Sequence, residues 1–237
     1  MHTFVRDVHQ CVLSRNHCVG FWLDRTRFHR RHGVLRVLRV SVVITSPHMK
    51  SFKEGLEDVV ATSSSICYID GDKGILSYRG YNIHDLADYS TFEETAHLLW
   101  FGALPTQVEL ADTRRRMAAS RSLPRQVQDL LWGIPKDALP MDVLRTAVSM
   151  LGHFDPDVRS NSPDANARKA LRLTGQVAGI VAAFHRIRQG RSFVEPRAEL
   201  SHAANFLYMV NGEMPSPAAQ KAFDVALILH ADHELNA

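Results

Sequence analysis

Apolar residues along this chain follow two different periods. Between residues 66 and 78, short β-rich runs flank the turn Asp70-Gly71-Asp72-Lys73-Gly74, which predicts a β-hairpin. After this hairpin the apolar residues recur at helical spacing, and strands do not alternate with helices. The pattern therefore predicts a mainly α fold with one short N-terminal β-hairpin and no parallel sheet.

Start and stop signals give the bounds of the helices. Ser90 and Glu93 have the spacing of a capping box, and Gly102 supplies a stop, so one helix is expected over 92–101. Ser216 followed by proline is the start signal of the last helix. The expected helices are 92–101, about 105–120, 123–132, 141–152, 164–189, 195–212 and 217–233.

Two features inside this pattern predict packing. Gly175 and Gly179 interrupt the longest expected helix, where each glycine costs about 1 kcal/mol, so we expect a neighbouring helix to pack closely there. The run Asp155-Pro156-Asp157 is typical of a turn that ends a helix.

The first 48 residues differ in composition from the rest. They contain eight arginines, six histidines, no lysine and only two acidic residues, and the bias ends at Met49. We interpret residues 1–48 as a basic leader outside the fold and 49–237 as the folded part. Two alternatives remain open, namely a targeting segment, for which an arginine-rich and acid-poor composition is typical, and a basic arm that binds a partner.

Charge and apolar content narrow the class of protein. Residues 49–237 have 20 basic and 23 acidic side chains, so this part lacks the basic surface of a nucleic-acid-binding protein. No apolar stretch approaches the ~18–20 residues that cross a bilayer. Three cysteines, an odd number, favour reduced thiols. We therefore expect a cytoplasmic protein without a nucleic-acid or membrane partner, or an organellar one if 1–48 is a transit segment.

The densest group of polar residues follows the apolar run of the last helix. His230, Asp232, His233, Glu234 and Asn236 lie within seven residues. The two histidines would share one face if the helix included both. Imidazoles beside carboxylates suit a site for a carboxylate substrate, in which one histidine donates to an anionic or carbonyl oxygen.

Other interpretations of these residues remain open. The cluster also suits structural polar packing or a metal site, although the order is not H-E-x-x-H and no third ligand group is evident. A second candidate is Arg79, between Tyr78 and Tyr81 and next to Gly80. This arginine is placed either to clamp an anion or, more commonly, to stack on a ring and donate to a carbonyl.

Four segments, in this order, resemble the citrate synthase family of the shorter bacterial and archaeal type. They are Gly55–Ala61, Gly74–Tyr81, Asn205–Met209 and Leu227–Ala237, and the last, with its His-Ala-Asp-His-Glu motif, is the most specific. The resemblance covers nearly all of residues 53–237 and about the first half of the family's length. It implies that 49–237 is the N-terminal part of a citrate-synthase-like helical large domain, truncated before the small domain, in a homodimer.

The resemblance also implies a reaction. Members of the family condense acetyl-CoA with oxaloacetate and water to give citrate and free CoA in the tricarboxylic acid cycle, with acetyl-CoA as a substrate and no cofactor. An aspartate removes a methyl proton from acetyl-CoA, a histidine stabilises the enol, and a second histidine donates to the oxaloacetate carbonyl. The near alternative is 2-methylcitrate synthase, which uses propionyl-CoA, and a different class is a non-catalytic helical dimerisation fragment.

Residue by residue, the resemblance makes His233 the histidine that contacts oxaloacetate and Asn236 the amide beside it, with His230 as a supporting neighbour. The family's Gly-Pro-x-His-Gly motif has no match in these 237 residues. Its two catalytic histidines and its aspartate are therefore expected beyond Ala237, and we assign neither a catalytic residue nor a metal ligand within this chain. By itself, the chain is expected not to turn over.

Overall fold

A computed structural model describes residues 12–14, 17–19 and 64–233. The chain divides into two units, residues 1–58 and 59–237. In the first unit, strand β1 (Val12–Ser14) pairs antiparallel with strand β2 (His17–Val19). The separation of a leader from the fold at Met49 stays a prediction.

A small antiparallel sheet opens the described part of the second unit. Strand β3 (Cys67–Asp70) pairs with β4 (Ile75–Tyr78), which confirms the hairpin over 66–78, and β4 pairs with a third strand, β5 (Tyr81–Asn82). The β4–β5 loop has only two residues, Arg79 at φ 50° and Gly80 at φ 88°. Positive φ at both residues is what a type I′ hairpin turn requires.

Helices make up most of the rest, so the expected mainly α fold with a short N-terminal hairpin is confirmed. The five expected helices from 92–101 to 164–189 are confirmed within two residues at each end. Among the described residues the helices are α1 (Ile83–Tyr89), α2 (Phe92–Phe101), α3 (Gln107–Ala119), α4 (Arg125–Gly133), α5 (Pro140–Leu151), α6 (Pro163–Arg188), α7 (His202–Asn211) and α8 (Pro217–Leu229).

Helix α1 was not expected from the sequence. It has only seven residues, of which Ile83 and Leu86 are buried, so its apolar period is too short to recognise. Its start is capped by Asn82, whose side-chain oxygen accepts the His84 N–H at 2.9 Å.

The capping box of α2 lies one residue later than expected. Thr91 and Glu94 form it, with the Thr91 N–H donating to the Glu94 carboxylate at 2.7 Å. Glu93 is instead buried, and its Oε1 accepts the backbone N–H of His202 at 2.8 Å. The expected box with Ser90 is therefore wrong, because the Glu93 carboxylate caps the start of another helix, α7.

Helix α7 begins at His202, seven residues after the start expected at 195. The preceding residues are held in an irregular conformation by Arg121, which is buried and donates to the carbonyls of Arg197 at 2.6 Å and Leu200 at 2.9 Å. Ser201 then caps α7 through the N–H of Ala204. The expectation was wrong because a distant guanidinium takes carbonyls that a helix would have used.

The long helix α6 packs closely against the end of a neighbouring helix at Gly175, as expected, and against the loop that follows that helix at Gly179. A Cβ on Gly175 would lie 3.2 Å from backbone atoms of Ser120 and 3.3 Å from the Met117 carbonyl, at the end of α3. A Cβ on Gly179 would lie 3.4 Å from the Arg121 carbonyl. Farther along α6, Ile180, Phe184 and Ile187 form a core with α4 and α5 whose other buried members include Val127, Leu131, Val143 and Ala147.

The expected turn at Asp155–Asp157 is confirmed, and its carboxylates hold α6. Arg168 pairs with Asp157 at 2.6 Å, and Arg172 bridges Asp155 at 2.7 Å and Asp157 at 2.6 Å. These guanidinium groups lower the pKa of Asp157, mainly through the hydrogen bond from Arg168. None of the described helices is long and apolar enough to cross a membrane.

A second core attaches the end of α8 to the sheet. Its buried members are Cys67 and Tyr78 of the sheet, Ile83 and Leu86 of α1, Leu98 of α2 and Ile228 of α8. Ile228 is fully buried, although the other residues of α8 are exposed or only half-buried. The C-terminal end of α8, where the polar cluster begins, is thus the part of the helix that the core holds in place.

Candidate substrate-binding site

Helix α8 leads into the candidate site. It begins as expected at Pro217, after Ser216, whose hydroxyl accepts the Ala219 N–H at 3.2 Å. Half-way along it, the Asp224 carboxylate accepts the N–H of Phe92 at the start of α2, at 3.2 Å. A carboxylate is favourable at a helix N-terminus. Burial nevertheless raises the pKa of Asp224.

The helix ends at Leu229, four residues before the expected end. In a continued helix, the N–H groups of Asp232 and His233 would donate to the carbonyls of Ile228 and Leu229. The Asp232 N–H instead donates to the hydroxyl of Tyr78 at 3.3 Å, and that hydroxyl lies 3.3 Å from the Leu229 carbonyl. The expected helix over 217–233 is wrong at its end, because Tyr78 takes the place of the next turn.

Tyr78 reaches this segment from strand β4 and is fully buried. Its hydroxyl lies 3.2 Å from the Asp232 carbonyl, besides the two contacts above. The single O–H donates to one of the two carbonyls at a time, while the oxygen accepts the Asp232 N–H. Burial raises the pKa of Tyr78, so the hydroxyl keeps its proton and remains a donor at neutral pH.

His230 lies at the C-cap of α8, and its ring is exposed. Its Nδ1 lies 2.7 Å from the Ala226 carbonyl. Since a carbonyl only accepts, Nδ1 carries the proton, and in the neutral ring Nε2 is left as an acceptor. The side chain thus satisfies one of the carbonyls that a helix end leaves unpaired.

His233 lies three residues farther on, outside the helix, with an exposed side chain. It does not share a helical face with His230, so that expectation is wrong for the reason that ends α8 early. The structure does place both histidines and Asp232 on one short segment tied to Tyr78. Asn236, the other expected substrate contact, lies outside the described residues.

The two alternative interpretations of the polar cluster at 230–236 were structural packing and a metal site. Exposed rings at His230 and His233 do not suit structural packing within this chain. Over the described ranges, no group of three or more histidine, cysteine or acidic side chains is arranged to hold a metal ion. Glu234 lies outside those ranges.

For Arg79, the donation to a carbonyl that the more common interpretation of its motif predicts is confirmed, whereas stacking on a ring stays a prediction. Arg79 donates to the Leu99 carbonyl at 3.1 Å and to the Ser65 hydroxyl at 2.9 Å, rather than facing an open anion site. Arg79 therefore ties the turn after Tyr78 to the end of α2.

Comparison with known proteins places this arrangement in a family. A family model described as citrate synthase, C-terminal domain, matches residues 55–237. The chain belongs to the citrate synthase family.

Several members of the citrate synthase family are similar to this chain. Citrate synthase 2 of Bacillus subtilis is 47% identical over 184 residues, covering 77% of this chain and 49% of the relative. Citrate synthase of Deinococcus radiodurans is 42% identical over 189 residues, covering 80% and 50%. A 2-methylcitrate synthase of Mycobacterium tuberculosis is 42% identical over 185 residues, covering 78% and 47%.

Solved citrate synthase structures share the fold. The enzyme from Pyrobaculum aerophilum aligns with a TM-score of 0.72 at 38% identity, over 89% of this chain and 52% of that one. The enzyme from Thermotoga maritima aligns with a TM-score of 0.68 at 38% identity, over 78% and 48%. The chain thus spans about half the length of the citrate synthases it matches.

The sequence analysis did not assign Tyr78 to the candidate site. Tyr78 belongs to a segment that carried the family resemblance, but its contact with Asp232 joins residues 154 positions apart. Its spacing in the sequence carries no signal of that contact. The motif Tyr78-Arg79-Gly80-Tyr81 was the only sequence feature that drew attention to this region.

Proposed function

We propose that this protein is a citrate synthase-type acyltransferase that joins acetyl-CoA and oxaloacetate, with water, to give citrate and CoA. The observation that carries the proposal is the family match over residues 55–237, which extends through the His-Ala-Asp-His-Glu motif. Further support comes from the exposed imidazole of His233 on a segment that buried side chains hold in place.

In this proposal His233 donates a hydrogen bond to oxaloacetate, and Asn236 lies beside it as a second polar contact. His230 supports the pair, because its Nδ1–H is already used by the Ala226 carbonyl. The catalytic histidines and aspartate of the family have no counterpart in a matching motif here. The role of this part of the chain is therefore to bind and orient oxaloacetate.

The test compares His233→Ala with His230→Ala. Both are made in a completed enzyme, meaning this chain joined to the remaining half of citrate synthase 2 of Bacillus subtilis. Losing a hydrogen bond to a charged ligand costs roughly 1.5–3 kcal/mol, so His233→Ala should weaken oxaloacetate binding about ten- to a hundredfold. His230→Ala should lower thermal stability more than affinity. Equal binding defects would show that the two roles are assigned wrongly.

Propionyl-CoA is the alternative acyl donor, because a relative named 2-methylcitrate synthase is 42% identical. Acetyl-CoA and propionyl-CoA differ by one methylene, which a pocket distinguishes by only about 1–3 kcal/mol. Measuring kcat/KM for both donors in the completed enzyme and in citrate synthase 2 of Bacillus subtilis itself shows whether this chain changes the preference. A shift towards propionyl-CoA would replace the first proposal with the second.

We also propose that the protein forms a homodimer. Leu173 and Val181 lie eight residues apart on one face of α6, where both are more than a third exposed, and Met141 on the adjoining α5 is 72% exposed. Apolar side chains on two packed helices suit a self-complementary interface. Sedimentation equilibrium should give a dimer for the chain and a monomer for Val181→Glu.

Val108 on α3 provides the matched control, because it is 81% exposed and lies on another helix. Val108→Glu should leave the dimer intact. A monomeric wild type, or equal effects of the two substitutions, would contradict the proposed interface.

The same proposal places the protein in the cytoplasm and its reaction in the tricarboxylic acid cycle. An organellar location is the alternative if residues 1–48 act as a transit segment. Fusing residues 1–48 to a fluorescent protein distinguishes the two, since a leader without targeting function leaves the fusion in the cytoplasm.

A further inference from the structure

The end of α8 is set by a side chain from the other end of the described fold. Tyr78 meets the backbone at Leu229 and Asp232 through three contacts of 3.2–3.3 Å. Its ring is fully buried in the core that also holds Ile228. A buried tyrosine needs a partner for its hydroxyl, but a single carbonyl would satisfy that need.

What distinguishes Tyr78 is which backbone groups it takes. The Leu229 carbonyl is the one that the His233 N–H would reach in a continued helix, and the Asp232 N–H is the donor one residue before it, which would reach the Ile228 carbonyl. By occupying both, the hydroxyl keeps the three residues between Leu229 and His233 out of the helix. The direction in which His233 leaves α8 therefore depends on one oxygen atom.

The turn that follows Tyr78 in turn fixes the position of the Tyr78 hydroxyl oxygen. Arg79 adopts φ 50°, which is uncommon for a residue other than glycine and costs free energy. Its hydrogen bonds to the Leu99 carbonyl and the Ser65 hydroxyl hold the turn in this conformation. A chain of contacts thus runs from the end of α2 through Arg79 and Tyr78 to the segment before His233.

We propose that Tyr78 is a positioning residue for the dicarboxylate substrate, whose hydroxyl holds residues 229–232 so that His233 points at oxaloacetate. This inference rests on the proposed function, and it adds a residue from the N-terminal sheet to the site. Tyr78 touches no reacting atom, and it acts only through the backbone that carries His233.

The first arm of the test uses the 237-residue chain and hydrogen exchange. Tyr78→Phe keeps the ring and removes the hydroxyl, so the amide of Asp232 should exchange about tenfold faster, the factor that one hydrogen bond provides. The matched control is Tyr81→Phe, on the paired strand of the same hairpin, where the side chain is 42% exposed. Thermal melting establishes that both variants remain folded. An unchanged rate at Asp232 in folded Tyr78→Phe would overturn the inference.

The second arm uses the completed enzyme and steady-state kinetics. Tyr78→Phe should raise the KM for oxaloacetate about tenfold and leave the KM for acetyl-CoA unchanged, whereas Tyr81→Phe should change neither. Equal rises for both substrates, or none, would show that Tyr78 is purely structural and would overturn the inference. If the completed wild type makes no citrate, the proposed function fails and the substrate role falls with it. Faster exchange at Asp232 would then still identify the hydroxyl contact.

Discussion

His202 is a histidine whose side chain is almost fully removed from water. Its ring is buried at the start of α7 and stacks on Phe92 at a centroid distance of 5.1 Å. Its Nδ1 has no hydrogen-bond partner in the described part of the chain. Burial, followed by the positive charge of Arg121, lowers the pKa of His202 to about 4. The folded protein therefore keeps this ring neutral under conditions that protonate an exposed histidine.

This depressed pKa makes stability depend on pH in a defined window. Above pH 6.5 the ring is neutral in the folded and unfolded chains and has no effect. Below pH 6.5 only the unfolded chain takes up the proton, so the free energy of unfolding falls by roughly 3 kcal/mol by pH 4. Urea denaturation at pH 7 and pH 4.5 should show the loss in the wild type and a smaller one in His202→Gln.

His153 supplies the comparison, because it is exposed at the end of α5. His153→Gln should lose as much stability on acidification as the wild type. If His202→Gln and His153→Gln respond alike to pH, the buried ring is not the group that titrates.

At the scale of elements, α6 approaches the backbone at the end of α3 closely at Gly175. A methyl group there would meet backbone atoms of Ser120 and Met117 at 3.2–3.3 Å, and backbone cannot rotate away. Gly175→Ala gains about 1 kcal/mol of helix propensity but suffers overpacking of about 1–3 kcal/mol. We expect a net loss of up to about 2 kcal/mol in the free energy of unfolding, measured by urea denaturation.

Gly133 at the end of α4 tests the propensity gain alone, since a Cβ there meets nothing within 4 Å. Gly133→Ala should be neutral or stabilising by up to about 1 kcal/mol. A Gly175→Ala protein more stable than the wild type would show that α3 can move away from α6.

The helices themselves could be predicted, whereas several of their ends could not. Local signals such as Ser216 before Pro217 suffice where the capping partner is three residues away. The errors arose where a distant side chain competes for the same backbone. Arg121 delays the start of α7, and Tyr78 ends α8 early.

The same reason limits how much of the candidate site the sequence could reveal. The motif identified His230 and His233, because histidines and acids in one short stretch are visible without a structure. The loss of their shared face was not visible, since it depends on a hydroxyl more than 150 residues away. Glu93 was misassigned for a similar reason, because its carboxylate caps α7 rather than its own helix.

At the scale of the whole molecule, the leader is the first prediction to test. The compositional break lies at Met49, ten residues before the division of the chain at 58/59. Deleting residues 1–48 should leave the midpoint of thermal unfolding unchanged within about 2 °C. Deleting residues 1–70 also removes β3 and its buried Cys67, so it should lower the midpoint markedly. Equal losses in the two deletions would show that 1–48 belongs to the fold.

Catalysis is the second prediction at this scale. The 237-residue chain contains no match to the Gly-Pro-x-His-Gly motif of the family. Without such a histidine the enol of acetyl-CoA is not stabilised, so the purified chain should release no CoA above background from acetyl-CoA and oxaloacetate. A thiol assay for free CoA checks this, with the completed enzyme as the positive control.

The second core, which joins Tyr78 to the end of α8, also has a consequence for synthesis of the protein. This core includes Ile228, which the ribosome adds about 150 residues after Tyr78. At ~5–20 residues per second, roughly 8–30 s separate the two. During that interval Tyr78 and Leu98 have emerged without the helix that covers them, and nascent chains with exposed apolar side chains are substrates for chaperones. The nascent chain of this protein is therefore expected to be a chaperone substrate until α8 emerges.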